Sequence, residues 1–342
     1  MRNPRFWLGI LVSVVALVLA FREVDLSEVG QALRDAEYGW LLPALVLAVL
    51  SVLFRAVRWR VLFYPSTSIP LGRLFGILNV GYLISNLLPL RLGDFARAYL
   101  VGQMELISKM RALSTVAVER VLDILSVLVI TVLLLPFVPV PGWAATSLWF
   151  AGVVGTAAIV VMVVTSVKRH HTLALLEWAL RFLPRGVAAR IHGLADSAID
   201  GFSAIRSPSA AFQAVFWSAA TWFTGGLCMW VVLFSFDLPR SLTAGMFVLA
   251  ISAIGMVVPS SPGYVGVYHA VVIETLVKVF GADRAQAASY AVVTHLILFV
   301  PPVLLGMYYI WREPYTWSGL LRWTRREEAE PEEVATGQPP GR

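Results

Sequence analysis

The sequence predicts an all-α polytopic membrane protein: about six full transmembrane helices plus two re-entrant broken hairpins, arranged as an inverted repeat. Three observations carry this. First, 58% of the 342 residues are hydrophobic and only 14% are charged, with a mean hydropathy of +0.76, well above an ordinary soluble domain. Second, apolar runs of roughly 20 residues, the length that crosses about 30 Å of hydrocarbon, recur along the chain. Third, two further apolar regions are each broken in the middle by a proline and a glycine four residues apart.

In chain order, the full spans are expected at 6–21, 38–54, 111–135, 144–166, 209–235 and 285–311. The first follows Arg2 and Arg5 and has parts of a secretory signal, but it is read as an uncleaved span because the repeat requires it. The broken regions are 71–108, interrupted at NLLPLRLGDF, and 242–281, interrupted at VVPSSPGYVG. Pro89 and Gly93 mark the first break. Pro259 and Gly263, with Pro262 and Gly266 beside them, mark the second. Proline removes a backbone donor and ends a helix, while glycine lets the chain reverse. Each region is therefore read as two half-length helices. The halves, about 1–135 and 144–312, run span, amphipathic connector, span, broken hairpin, span, from opposite sides of the membrane. Such repeats hold substrate near the midplane, at the broken helices.

The connectors fit this scheme. Leu26, Val29 and Leu33 form one apolar stripe. Leu173, Leu176, Leu180 and Leu183, then Val187, Ile191, Leu194, Ala198 and Phe202, form another, opposite Arg181, Arg190, Asp196 and Asp200. Apolar residues at three- and four-residue spacing suit helices lying in the interface. Residues 313–342 lack apolar side chains to bury and are expected to form a disordered cytoplasmic tail.

Charge sets the orientation. The net charge of +6 gathers at Arg2 and Arg5, at Arg55, Arg58 and Arg60, between Lys168 and Arg206, and after Arg312. The opposite loops hold few basic residues. Both termini are thus expected in the cytoplasm, and the basic excess points to anionic lipid rather than nucleic acid. Cys228 lies alone in an apolar run and has no disulfide partner. Trp7, Trp40, Trp59, Trp143 and Trp311 fall near span ends and read as interface anchors.

The chemistry concentrates in 79–123. Charged groups at membrane depth cost several kcal/mol each, yet Arg91, Asp94, Arg97, Glu119, Arg120 and Asp123 lie here. Asp94 and Arg97 share one helical face, and arginine's planar fork suits bidentate phosphate contact. Arg91 and Arg97 are candidates to hold a lipid phosphate with Asp94 orienting one of them, or else the charges form a closed, self-neutralising pair. Glu119 and Asp123, one turn apart, leave a negative excess over Arg120 that Arg97 or Arg91 would balance. That group is either a structural clamp or a set of partners exchanged as a headgroup passes. In the second half Pro259, Ser260, Ser261 and Gly263 offer hydroxyls and free amides, and a helix starting near Tyr264 would aim its positive end at the break. His269, Glu274 and His295 are ionisable groups in apolar surroundings. His170, His171 and His192 read as a solvated loop without metal-ligand spacing. No nucleophile constellation, phosphate loop, dinucleotide fingerprint or metal site is present in the sequence, so neither a cofactor nor a metal is expected.

Together RAVRWRVLF, NLLPLRLGDFARAYL, VERVLDIL and PSSPGYVGVY resemble the flippase-like transmembrane region of bacterial lysylphosphatidylglycerol synthases and stand-alone membrane proteins related to it. The resemblance covers residues 1 to about 312. It implies a multi-pass protein of the bacterial cytoplasmic (inner) membrane associated with moving lipids between leaflets, and with the arginines at membrane depth the expected role is to translocate, or help translocate, an anionic or polyprenyl-type lipid such as a polyprenyl phosphate. The synthase's aminoacyl-transferring domain has no counterpart in this sequence, so a transporter rather than an enzyme is expected. Where similar proteins often carry a glutamate after the Gly-rich break, this chain reads Gly266, Val267, Tyr268, His269. The alternatives are a membrane-embedded lipid-modifying enzyme subunit, with Asp94, Glu119 or Asp123 as base, and a scaffold for a cell-envelope synthase or glycosyltransferase.

Overall fold

Leu, Val and Ala runs let a helix satisfy its own backbone groups, as a hydrocarbon environment requires. A computed structural model of the chain describes residues 24–64, 68–87, 92–138, 168–181, 185–202, 207–257 and 261–313, with short helical pieces within 14–18 and 150–165. No strand occurs among the described residues. The helices are α1 (Leu26–Asp35), α2 (Leu41–Leu62, entered through a 3-10 turn at Tyr38–Trp40), α3 (Leu71–Leu87), α4 (Gly93–Met104), α5 (Lys109–Leu134), α6 (Arg169–Leu180), α7 (Arg185–Gly201), α8 (Pro208–Leu233), α9 (Leu242–Gly255), α10 (Val267–Phe280) and α11 (Arg284–Arg312). The expected spans at 6–21 and 144–166 are described only in those pieces. Pro89, Arg91, Pro259, Ser260 and the expected tail beyond residue 313 lie outside the described residues.

Short polar side chains start many of these helices by accepting from free amides of the first turn. Asp25, Ser108, Ser207, Ser241 and Asp283 do this for α1, α5, α8, α9 and α11. The hydrogen bonds from Ser27 also hold the Asp25 carboxyl below its ordinary pKa. Among the described residues three helices are long and apolar enough to cross a membrane: Tyr38–Leu62, Pro208–Leu233 and Arg284–Arg312. Helix α5 has 26 residues, roughly 39 Å at 1.5 Å per residue, but its first half carries the charges discussed below.

One boundary corrects the sequence reading. The second span was expected to end at residue 54, yet α2 runs on to Leu62, because no glycine, proline or cap interrupts it before Pro65. Arg55, Arg58 and Arg60 therefore lie in a helix rather than a flanking loop. Trp59, expected as an interface anchor, is fully buried and donates to Thr115 Oγ1 at 3.0 Å. Trp40 and Trp311 are exposed, as anchors would be.

Helix α2 packs along α8, with Ala44, Ala48 and Ala56 of α2 and Ala214 of α8 all buried and Gly225 of α8 beside Ser51 of α2. Small residues allow this close approach, and Ser51 Oγ donates to the Thr221 carbonyl at 3.1 Å across it. Helix α3 packs on α11, α9 on α8 and α5, and α1 on α11. The apolar interior has two large centres. One gathers Trp59, Phe63, Leu74, Ile77 and Leu100, and the other Met229, Leu233, Tyr268, Leu276 and Tyr290.

The two interrupted regions do form paired short helices, α3 with α4 and α9 with α10. In the first pair Gly93 is the opening residue of α4 rather than a reversal point. Its requirement is proximity: a Cβ there would stand 1.8 Å from the Gly81 carbonyl oxygen and 2.3 Å from Ser85 Oγ. In the second break the left-handed backbone is real, with Gly263 at φ 72° and Gly266 at φ 91°, a region that glycine enters freely. Helix α10 begins at Val267, not near Tyr264, because Gly266 is its cap and a 3-10 turn occupies 262–264. The turn at Gly263 lies near the Asn86 carbonyl at the end of α3, so the two breaks are neighbours.

Helices α6 and α7 pair through Arg169, whose guanidinium reaches Asp196 and Asp200, each at 2.7 Å, and through His192 with Glu177 at 3.0 Å. Of the three connector histidines, His192 thus has a carboxylate partner that spacing did not reveal. Helix α7 rests on the start of α5.

Candidate functional site

The 3.6-residue period puts Glu119 and Asp123 on one face of α5 with Arg120 beside them. Both acids point toward α2, where Arg55 and Arg58 share a face. Arg58 Nη2 stands 2.8 Å from Glu119 Oε1, and Arg58 Nη1 is 2.9 Å from Asp123 Oδ1. Ser218 Oγ of α8 accepts from the same Nη1 at 3.0 Å. Arg55 Nη1 reaches Asp123 Oδ2 at 2.8 Å, and Trp222 Nε1 of α8 donates to Asp123 Oδ1 at 3.1 Å. Helix α4 supplies the third wall. Its Arg97 Nη1 is 2.7 Å from Glu119 Oε2, and Nη2 is 3.1 Å from Asp94 Oδ1. Asp94 in turn takes a fork from Arg120, with Nη2 at 2.7 Å and Nε at 3.0 Å.

Among the described residues four guanidiniums thus face three carboxylates, leaving one positive charge in excess. The sequence reading expected Arg97 or Arg91 to balance the acids of α5 and did not count Arg55 and Arg58, which it placed in a loop. Burial is graded across the group. Arg58 and Glu119 side chains are 0% exposed and Arg97 2%, whereas Asp94 is 20% and Arg120 37% exposed. The outer edge is therefore the Asp94–Arg120 pair. Charges this deep are tolerable only when paired, and one of the four arginines has incomplete hydrogen bonding. Arg97 makes close charge contacts, yet none of its three guanidinium nitrogens is aligned with an acceptor as a hydrogen bond. Distance and alignment disagree at Arg97 Nη1 and Glu119 Oε2, and the contact is one of charges rather than a formed fork. The Trp59 ring lies 4.9 Å from that guanidinium, a cation–π distance.

Of the residues singled out from sequence, Asp94, Arg97, Glu119, Arg120 and Asp123 meet here. Pro89, Arg91, Pro259 and Ser260 lie outside the described residues. Ser261, Pro262, Gly263, Gly266 and His269 form the second break. There Gly266 N donates to His269 Nδ1 at 3.3 Å, His295 Nε2 stands 2.8 Å from the Gly263 carbonyl, and the two imidazoles are 4.8 Å apart. Both histidines tie down the turn. Glu274 lies elsewhere on α10 and pairs with Lys278 at 2.7 Å and Arg284 at 3.0 Å. No trio of His, Cys, Asp or Glu suited to a metal occurs among the described residues. Sequence reasoning missed Arg55, Arg58, Trp59 and Trp222. The signal for the arginines was Arg55-x-x-Arg58, the same spacing as Asp94 to Arg97 and Arg120 to Asp123.

An all-helical apolar bundle holding a buried, net-cationic ion cluster defines a multi-pass membrane protein. Residues 6–306 match the family model for the lysylphosphatidylglycerol synthase TM region, and the chain belongs to that family. It is 27% identical over 309 residues to a UPF0104 membrane protein of Methanothermobacter thermautotrophicus, covering 85% of this chain and 90% of that protein. It is 25% identical over 319 residues to glycosyltransferase AglD of Haloferax volcanii, covering 84% of this chain but 51% of the relative. The chain thus spans about half the length of that relative. No solved structure matches.

Proposed function

We propose that this chain moves, or helps to move, an anionic lipid headgroup between the leaflets of a cytoplasmic membrane, with Arg97 and Arg120 receiving the headgroup phosphate. The observation that carries this reading is the single excess positive charge of the described cluster, one member of which is the buried, incompletely bonded Arg97. A structural clamp needs no such excess, whereas a site for an oxyanion does. The phosphate enters at the half-exposed Arg120 edge while the acyl chains remain in the bilayer.

The reading includes six spans, two re-entrant hairpins and an inverted repeat. Supporting it, the connectors 63–70 and 234–241 have equal length between equivalent helices. Trp59 with Phe63 and Trp230 with Phe234 pair their rings one turn apart at 5.7 and 5.2 Å, each at the end of the helix before its hairpin. Ser108 and Asp283 cap the helices that follow the hairpins. Basic residues around 168–206 and after 312 remain the argument for cytoplasmic termini.

A second reading rests on the half-length match to a protein named as a glycosyltransferase: a membrane partner or scaffold for an enzyme that acts on a lipid. Proteoliposomes carrying labelled anionic lipids and an impermeant quencher separate the two. Wild-type protein is expected to expose inner-leaflet label, and Arg97→Gln and Arg120→Gln, reconstituted at equal yield, are expected not to. Wild-type vesicles indistinguishable from protein-free ones would defeat the transport reading and leave the scaffold.

A further inference from the structure

The three carboxylates of the cluster are not equivalent. Glu119 is enclosed by Arg55, Arg58 and Arg97, and Asp123 by Arg55, Arg58, Arg120 and the Trp222 indole. Both belong to the long helix α5. Asp94 belongs to the short helix α4, directly after the break, and lies on the outer edge. Its Oδ1 stands between Arg120 Nη2 at 2.7 Å and Arg97 Nη2 at 3.1 Å, and its Oδ2 accepts from Arg120 Nε at 3.0 Å. One oxygen, Oδ1, thus bridges two guanidiniums from different helices, and the other, Oδ2, completes the fork on Arg120. The two non-bridging oxygens of a phosphodiester make the same pattern, since planar forks take carboxylate and phosphate alike.

We infer that Asp94 is an internal stand-in for the ligand: it holds Arg97 and Arg120 between lipid encounters and is displaced by the phosphate of a monoanionic phosphodiester headgroup. This rests on the reading of the cluster as a lipid-anion site and deepens it by naming the headgroup class. Asp94 gives up its two guanidiniums but stays on the same edge of the cluster, so the seven groups keep one excess positive charge, which one negative charge balances. A phosphomonoester brings up to two and leaves a buried excess of the opposite sign, which is costly in a low-dielectric interior. Asp94 therefore competes with the ligand, and its removal strengthens binding rather than weakening it. A carboxylate whose role is to build the site predicts the opposite.

The test uses the full chain in phosphatidylcholine nanodiscs, titrated with pyrene-labelled phosphatidylglycerol or phosphatidic acid and read by energy transfer from tryptophan. Wild type is expected to prefer phosphatidylglycerol. Asp94→Asn is expected to bind phosphatidylglycerol about tenfold tighter, equivalent to about 1.4 kcal/mol, and to gain still more for phosphatidic acid, because the excess charge has risen. Asp94→Glu, which keeps the stand-in, is expected to stay near wild type. Soluble glycerophosphoglycerol added as competitor separates recognition of a free phosphodiester, which displaces the lipid, from recognition that needs the lipid in its bilayer. Folded Asp94→Asn protein binding phosphatidylglycerol no tighter than wild type overturns the inference alone. Wild type and variant that both ignore anionic lipid overturn the site reading with it.

Discussion

Arg58 is the deepest positive charge in the cluster and the most informative to remove. It contacts Glu119 and Asp123 at 2.8 and 2.9 Å with its side chain fully buried. Arg58→Met keeps much of the volume but takes away the guanidinium that donates a hydrogen bond to Glu119 at 2.8 Å. Breaking a buried pair from one side costs about 3–5 kcal/mol. The lower end is expected here, because Arg55 and Arg97 also face the orphaned carboxylate. Glu119→Gln alone strands Arg58 and Arg97 and is expected to cost a similar amount. Combining Arg58→Met with Glu119→Gln removes both charges and restores the single positive excess, so the double variant should be more stable than either single. The coupling is expected at about 2 kcal/mol, within the usual range for groups in one network. Unfolding in graded sodium dodecyl sulfate, followed by tryptophan fluorescence, measures all four corners of the cycle. Strictly additive losses would refute the ion-pair geometry, and a single variant within about 0.5 kcal/mol of wild type would refute the burial of Arg58.

Three further outcomes follow from packing and turns. Gly93→Ala should cost at least about 2 kcal/mol, at the upper part of the range for overpacked contacts, because its methyl meets the Gly81 carbonyl at 1.8 Å. Thermal unfolding in detergent checks this, and a Tm equal to wild type would count against the close α3–α4 crossing. Gly263→Ala should lose about 1–2 kcal/mol to left-handed strain, since its φ is 72°; the same unfolding assay reads it. Asp196→Asn combined with Asp200→Asn removes both carboxylates bonded to Arg169. Hydrogen exchange should quicken several-fold in 169–201 and stay unchanged in α2 and α8, whereas uniform exchange would show that Arg169 does not tie the connector together.

The sequence made the helical class and the division of two apolar regions into paired short helices legible because apolar length and Pro-x-x-x-Gly punctuation are local signals. It also showed that the charges of 94–123 belong together, through the three- and four-residue spacing of Asp94, Arg97, Glu119, Arg120 and Asp123. The sign of the cluster was not legible. Arg55 and Arg58 lie at the end of an apolar run, where a flanking basic loop and a continuing helix look alike, and only the approach of α2 to α5 separates them. Trp222 was hidden for the same reason, since its partner Asp123 is far away in sequence. At the second break the glycines were recognised, but the cap that moves the helix start to Val267 depends on His269 turning its ring back toward Gly266.

The proposed repeat gives the second half a control for the first. Met229 holds the place on α8 that Arg58 holds on α2, one turn before the helix ends. Thr294 and His295 stand as far from the start of α11 as Glu119 and Arg120 from the start of α5. Where the first half gathers seven charged side chains, these positions carry a neutral cluster that satisfies itself: Tyr268 donates to Thr294 Oγ1 at 2.9 Å and Tyr290 to the Met229 carbonyl at 2.8 Å. All four residues are at most 1% exposed, so this cluster acts as packing and offers no entry to a headgroup. Thr294→Val removes the acceptor and leaves the buried Tyr268 hydroxyl without its oxygen partner, at about 1–3 kcal/mol. Stability should fall by that amount while affinity for phosphatidylglycerol stays at the wild-type value, the reverse of the expectation for Asp94→Asn. A Thr294→Val variant that unfolds normally but loses lipid binding would mean that both halves handle the headgroup, and the asymmetry argued from the charges would be wrong.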